Sequence, residues 1–215
     1  MKIVAANLWN LNPRKLKAIH QCLEYNPDIV VLPELHNKYV SPTEQLFQNE
    51  GYTLIYAHVN RTISLGVASR IPHNHSEIIT HGVFAGRPQV QLNLENGITF
   101  LGIHLDAPVS PRRYRRRQQQ LSLLTDFINQ SQDPIILAGD FNTYFSEPVF
   151  QTFLTQIDSL QRYGSKQRPH TWPCILPLFQ IDHILCSPPL KVTQLQQGNF
   201  NGSDHLPIYG CVNLG

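Results

Sequence analysis

A chain of 215 residues is long enough for one domain with a sizeable core and short for two. With 41% hydrophobic and 15% charged residues it has the composition of a folded protein, which excludes a disordered tail. A formal net charge of +2 gives no molecule-wide basic field, so any surface for nucleic acid must be local.

In chain order, residues 3–8 read as a buried strand. Asn12 is placed to cap a helix with Pro13 at its first position, and Leu16, Ile19 and Leu23 then recur at helical spacing until Asn26-Pro27 ends it. Residues 28–32 form the next strand, with Glu34 just past its end. Residues 52–58, 65–69, 88–94 and 98–105 read as extended, and Val90, Leu92 and Leu94 alternate with polar residues as in a sheet with one buried face. His73, His75 and His81 read as exposed residues of a loop after Pro72. A helix is expected over about 113–129, with Leu121, Leu124, Phe127 and Ile128 inward. Residues 135–138 are a buried strand that runs into Gly139-Asp140-Phe141-Asn142. Ser146 is placed to cap a short helix presenting Phe150, Phe153, Leu154 and Ile157, and residues 181–186, 191–196 and 206–212 close the chain as strands. Many strands with separated helices predict an α+β fold, two packed sheets with helices on the outer faces, in a single domain over 1–215.

The cysteines Cys22, Cys174, Cys186 and Cys211 lie far apart without a CxxC pair, and read as reduced, mostly buried thiols. No apolar run reaches the roughly 18–20 residues of a membrane span. Asn7 and Asn10 interrupt the apolar start before a signal peptide forms, so a cytoplasmic monomer is expected.

The polar residues carry the chemistry. Asn7, Glu34, His104, Asp106, Asp140, Asn142, Asp182, Asp204 and His205 fall within or at the ends of apolar strands. A buried ionised carboxylate is costly unless paired or bound to metal, so the pattern suggests that the fold gathers these groups in one place. Oxygen ligands of this kind suit Mg²⁺, Mn²⁺ or Ca²⁺ better than zinc, and Asp–His pairs supply oriented acids and bases.

Taken in order, Asn7, Leu32-Pro33-Glu34-Leu35, Ser69-Arg70, Gly102-Ile103-His104-Leu105, Gly139-Asp140-Phe141-Asn142, Ile181-Asp182-His183-Ile184 and Gly202-Ser203-Asp204-His205-Leu206-Pro207 resemble the endonuclease/exonuclease/phosphatase superfamily over nearly the whole chain. The resemblance implies a four-layer α/β/β/α sandwich of two mainly antiparallel sheets, with a divalent metal, Mg²⁺ or Mn²⁺ in its place, at one end. It implies that Glu34, with Asp204 and Asn7, holds the metal. Asp140 would activate the attacking water, and Asn142 would bind that water or a phosphate oxygen. Asp182 would orient His205, and His205 and His104 would face the phosphate. The implied reaction is hydrolysis of a phosphodiester by in-line attack of water, nuclease-like first and phospholipid- or inositol-phosphate-directed second, with an inactive binding module as the alternative class. His183, one residue past Asp182, would face the other way and pack.

The substrate surface is less determined. Arg112, Arg113, Arg115 and Arg116 open the expected helix and read either as contacts for nucleic-acid backbone, acidic lipid or polyphosphate, or as a solvated first turn. Trp172 reads either as a ring for stacking on a base or touching lipid, or as a core residue. Arg70 and Arg87 are placed to border the site.

Overall fold

The computed structural model describes residues 1–80, 82–156, 169–199 and 202–215. Its layers follow from strands whose residues are apolar on both faces. In β1 (Lys2–Ala5) and β2 (Ile29–His36), Ile3, Ala5, Ile29 and Val31 point into one buried cluster, and Val4, Val30 and Leu32 into another. Alternation with period two thus serves two cores at once.

β3 (Thr53–His58) and β4 (Ile63–Ser69) extend the same sheet. The second sheet has β5 (His73–Ile79), β6 (Gln89–Leu94), β7 (Thr99–His104), β8 (Ile135–Asp140) and β9 (Asp182–Cys186), in that order. β10 (Leu190–Gln197) and β11 (Ile208–Leu214) return to the first, whose order is β10-β11-β1-β2-β4-β3. β1 with β2 and β7 with β8 are parallel, and the other neighbours are antiparallel. Ile3, Val31, Val67, Val90, Phe100 and Ile136 fill the space between the sheets. The sheets approach closely at Gly102, where a β-carbon would stand 2.3 Å from Val67 Cγ2.

α1 (Lys15–Glu24) and α2 (Val40–Asn49) cover the outer face of the first sheet with Ala18, Ile19, Cys22, Val40 and Phe47. α3 (Pro111–Gln130) and α4 (Pro148–Gln156) cover the second with Leu121, Leu124, Ile128, Phe150 and Phe153. The four-layer α+β sandwich is the one expected. α3 begins where Ser110 Oγ accepts from Arg113 N, with Pro111 next, a normal cap and first turn.

Several local expectations differ. α1 starts at Lys15, because Asn12 Oδ1 accepts from Arg14 N and spends the cap on a tight turn before the helix. α4 starts at Pro148, two residues past Ser146, and Ile157 lies outside the described residues. His73 and His75 sit on β5, an edge strand, not in a loop; its polar, exposed pattern suits an edge, and His81 lies outside the described residues. All four cysteines are free, but only Cys22 and Cys186 are buried. Among the described residues no helix is long and apolar enough to cross a membrane.

Candidate active site

The carboxyl ends of both parallel pairs meet at one end of the sandwich. Asn7 follows β1, Glu34 lies in β2, and His104 and Asp140 end β7 and β8. β9 and β11 run the other way, so Asp182 opens β9, and Asp204 and His205 precede β11, at that same end. Register sets the innermost row: His104 pairs with Asp140, and Asp140 with Asp182. Paired residues on neighbouring strands point to the same face, so the three side chains stand abreast. His104 and Asp140, with Glu34, Arg87, Asn142, Asp204 and His205, line a cleft of about 510 Å³, and Asp182 bears on it through His205.

Asp140 is held from several sides. Gly139, at φ +139°, lets the strand pass: a β-carbon there would lie 2.0 Å from Ile103 O. Asn7 Nδ2 donates to Asp140 Oδ2 at 2.9 Å. Asn142 N donates to Asp140 Oδ1 at 2.8 Å, and this turn holds Asn142 in the left-handed region, at φ 51°. Asn142 Nδ2 donates to Asp140 Oδ2 at 3.2 Å and to Leu105 O at 3.0 Å, so its amide positions the carboxylate. Phe141 between them is fully buried. Burial, and then the Asp182 charge, push the Asp140 carboxyl up to about 7.

Asp182 Oδ2 lies 2.8 Å from His205 Nδ1. Burial works against charging the ring, but Asp182, with Asp140 and Asp204 beyond it, raises the His205 pKa to about 10. The imidazolium is the stable form, and Nε2 remains as a donor. His104 is the opposite case. Burial first and the Arg87 guanidinium second hold it well below the ordinary histidine value, and Arg87 Nη1 lies 3.0 Å from its Nε2. The cleft therefore sets a neutral and a charged imidazole on the two sides of Asp140.

Glu34 reaches the cleft through a bulge. Pairing of β2 with β4 shifts register between Leu32 and Leu35, and Glu34 takes φ 59°. Such a bulge re-aims a side chain that regular pairing would commit to a sheet face. Asn10 N donates to Glu34 Oε2 at 2.7 Å. Asp204 is half-buried beside it, its carbonyl accepting from Cys174 N at 2.8 Å.

These residues fit a divalent cation. Glu34 and Asp204 offer oxygen only, and among the described residues neither has an ion-pair partner. Asp182 Oδ1 is buried with no hydrogen-bond partner among them. Asp140, Asp182 and His205 also cluster within 4.8 Å, but the 2.8 Å Asp182–His205 hydrogen bond occupies atoms a cation would need, so Glu34 and Asp204 are the better ligands. Asn7 Oδ1 accepts from Trp9 N at 2.9 Å and has one lone pair left for such a role.

Of the basic residues, Arg70 does not join the site. Ser69, its neighbour, pairs with Ile29 at the far end of β2, and Arg70 bonds Asn26 Oδ1 and covers the Tyr52 ring. The arginines of α3 divide. Arg116 and Arg113 stand 3.1 and 3.9 Å from Asp106, a carboxylate they share with Arg87 at 3.3 Å. Arg117 is buried, bonding Glu147 and the Asn142 carbonyl from within the cleft wall. Arg112 and Arg115 stay exposed and, among the described residues, without an ion-pair partner. Trp172 lines the cleft, 37% exposed.

The sequence reading missed part of the wall. Tyr114, Tyr144, Phe179 and Arg117 line the cleft; Arg87, expected at its border, lines it too and meets His104 directly. Arg87 is separated from His104 by 17 positions and is brought to it by the β6–β7 pairing, which no local motif records.

No curated protein sequence matches the chain. Solved structures do. Zebrafish (D. rerio) TDP2 complexed with a single-strand DNA product superposes with a TM-score of 0.76 at 19% identity, covering 99% of this chain and 98% of that one. The Neisseria 3′ phosphatase NExo bound to a product DNA hairpin gives 0.78 at 18%, covering 99% of both. The human Nocturnin catalytic domain gives 0.76 at 19%, covering 100% and 94%. At this identity they show a shared fold. The model of the Endonuclease/Exonuclease/phosphatase family, however, matches residues 4–205, nearly the whole chain, and to that family this protein belongs.

Proposed function

We propose that this member of a phosphoesterase family hydrolyses phosphodiesters by in-line attack of water, with a divalent cation, Mg²⁺ first, held by Glu34 and Asp204 with Asn7 in support. His104, Asp140 and the Asp182-held His205 lining one cleft with those two carboxylates carry the reading. When bound, the cation supplies Lewis-acid polarisation of the phosphoryl group.

The chain's own groups do the rest. Asp140, fixed by Asn7 and Asn142, accepts a proton from the attacking water. His205, held by Asp182 through Nδ1, presents Nε2–H to a phosphoryl oxygen as charge builds there. Neutral His104, backed by Arg87, offers a second polar contact on the far side of Asp140. Nucleic acid is the first substrate class, supported by Tyr114, Tyr144, Trp172 and Phe179, which give the cleft ring faces on which bases stack. The aliphatic residues between Trp172 and Phe179 favour a second reading, a phospholipid diester.

The test is hydrolysis of bis-p-nitrophenyl phosphate with Mg²⁺, with EDTA, and by Asp140→Asn. We expect turnover with Mg²⁺, none in EDTA, and a loss of about a hundredfold or more in the variant. Wild-type turnover in the variant would remove Asp140 from the mechanism, and turnover in EDTA would remove the cation.

A further inference from the structure

The segment Trp172-Pro173-Cys174-Ile175-Leu176-Pro177-Leu178-Phe179 carries no charge, yet it stands in water. Ile175 is 94% exposed, Leu176 64% and Leu178 55%. Single exposed leucines mean little, but a contiguous apolar patch marks an interaction surface. The loop is well fixed. Trp172 and Phe179 exchange backbone hydrogen bonds of 3.0 and 2.9 Å across its base, and Cys174 N donates to Asp204 O at 2.8 Å. Its base therefore forms one wall of the active-site cleft, and its aliphatic tip projects beyond it.

The same cleft has a second exposed apolar residue. Val109 is 74% exposed and lines the cleft with Tyr114. Arg115 shares a surface hollow with both, and Arg112 lies one turn earlier on α3. Exposed apolar side chains thus lie beside the cleft, with one exposed guanidinium in the adjoining hollow and a second one helical turn away.

We propose that this face docks on an anionic phospholipid bilayer, with Ile175, Leu176 and Leu178 entering the acyl boundary and Arg112 and Arg115 on the headgroups. Branched aliphatic tips gain from hydrocarbon and have no ring to stack on a base. Exposed arginines gain from an anionic surface. A two-fold pairing of this face with a second copy would bring the arginines of both copies into one interface, which disfavours self-association. Docked this way, the cleft opens onto headgroup diesters, the second of the two substrate readings. The inference rests on the proposed phosphodiesterase only for the position of its cleft.

The experiment is co-sedimentation with phosphatidylcholine vesicles, with and without phosphatidylserine, for wild type, Ile175→Ser/Leu176→Ser/Leu178→Ser and Arg112→Glu/Arg115→Glu. Hydrolysis of bis-p-nitrophenyl phosphate is followed in parallel. Wild type is expected to bind the anionic vesicles. The triple variant should bind at least about tenfold more weakly while hydrolysing the soluble diester at the wild-type rate. The arginine variant should lose the preference for phosphatidylserine. Vesicle binding without hydrolysis by wild type in Mg²⁺ would leave the docking surface standing and remove the phosphodiesterase. Hydrolysis without vesicle binding would overturn the docking surface. So would equal binding by the triple variant, a dimer that the triple variant dissolves, or single-stranded DNA binding that the triple variant abolishes while wild type ignores vesicles.

Discussion

Lys15 shows how one side chain outside the cleft sets the geometry within it. It is buried at the start of α1, and its ammonium donates to the carbonyls of Trp9, Asn10 (2.8 Å) and Asn12 (3.2 Å). Burial, opposed by the nearby Glu34 charge, brings its pKa down to about 8. The carbonyls it gathers belong to the segment whose Asn10 N–H holds Glu34. Replacement by Met keeps the stem and strands three carbonyls. Lys15→Met should therefore cost about 2 kcal/mol of stability. It should also raise the Mg²⁺ concentration for half-maximal diester hydrolysis severalfold, with a smaller change in kcat at saturating Mg²⁺. An unchanged Mg²⁺ requirement, measured by titration at fixed substrate, would limit Lys15 to a structural role.

At the scale of elements, β9 divides its labour by alternation. Asp182 faces His205 and His183 faces the other way, against Phe141 at 5.4 Å and Phe150 at 4.5 Å between ring centroids, with Nε2 2.8 Å from Thr143 O. Burial brings the His183 pKa down to about 4. The unfolded chain takes up that proton near 6.5 and the folded protein only near 4, so the contribution is fully present above 6.5 and is lost as pH falls between them. The loss is on the order of 3 kcal/mol by the bottom of that window. Urea midpoints between those two pH values should fall more steeply for wild type than for His183→Leu, and parallel curves would refute the assignment. The outward face of His183 was legible from its position beside Asp182, because strand alternation is a local rule. So were most core strands and Gly139-Asp140-Phe141-Asn142, where each residue type answers to its own backbone or side-chain requirement. The continuation of β2 through Glu34 was not, since the bulge depends on pairing with β4. α2 escaped because only Val40, Thr43 and Phe47 face inward, and β5 because an edge strand needs no apolar alternation. Arg70 was misplaced because its strand runs antiparallel to β2 and carries it to the far end, a topological fact with no local mark.

For the whole molecule, the site lies across the junction of the two sheets. Glu34 and Asn7 come from the first, Asp140 and Asp182 from the second, and the Asn7–Asp140 and His205–Asp182 hydrogen bonds tie one to the other. The same arrangement gathers Glu34, Asp140 and Asp204 around one cleft, with Asp182 beside them on His205, and such crowding costs stability unless a cation screens it. Binding to the folded state alone should then stabilise the domain as a unit. At a Mg²⁺ concentration about 100 times Kd the gain is about 2.7 kcal/mol. For a chain of this size that raises Tm by roughly 5–10 °C. Glu34→Gln should abolish most of the rise. Calorimetry at ionic strength matched with NaCl separates this from general screening. A wild-type Tm indifferent to Mg²⁺ would mean that Glu34 and Asp204 do not form the cation site, whatever the enzyme turns over.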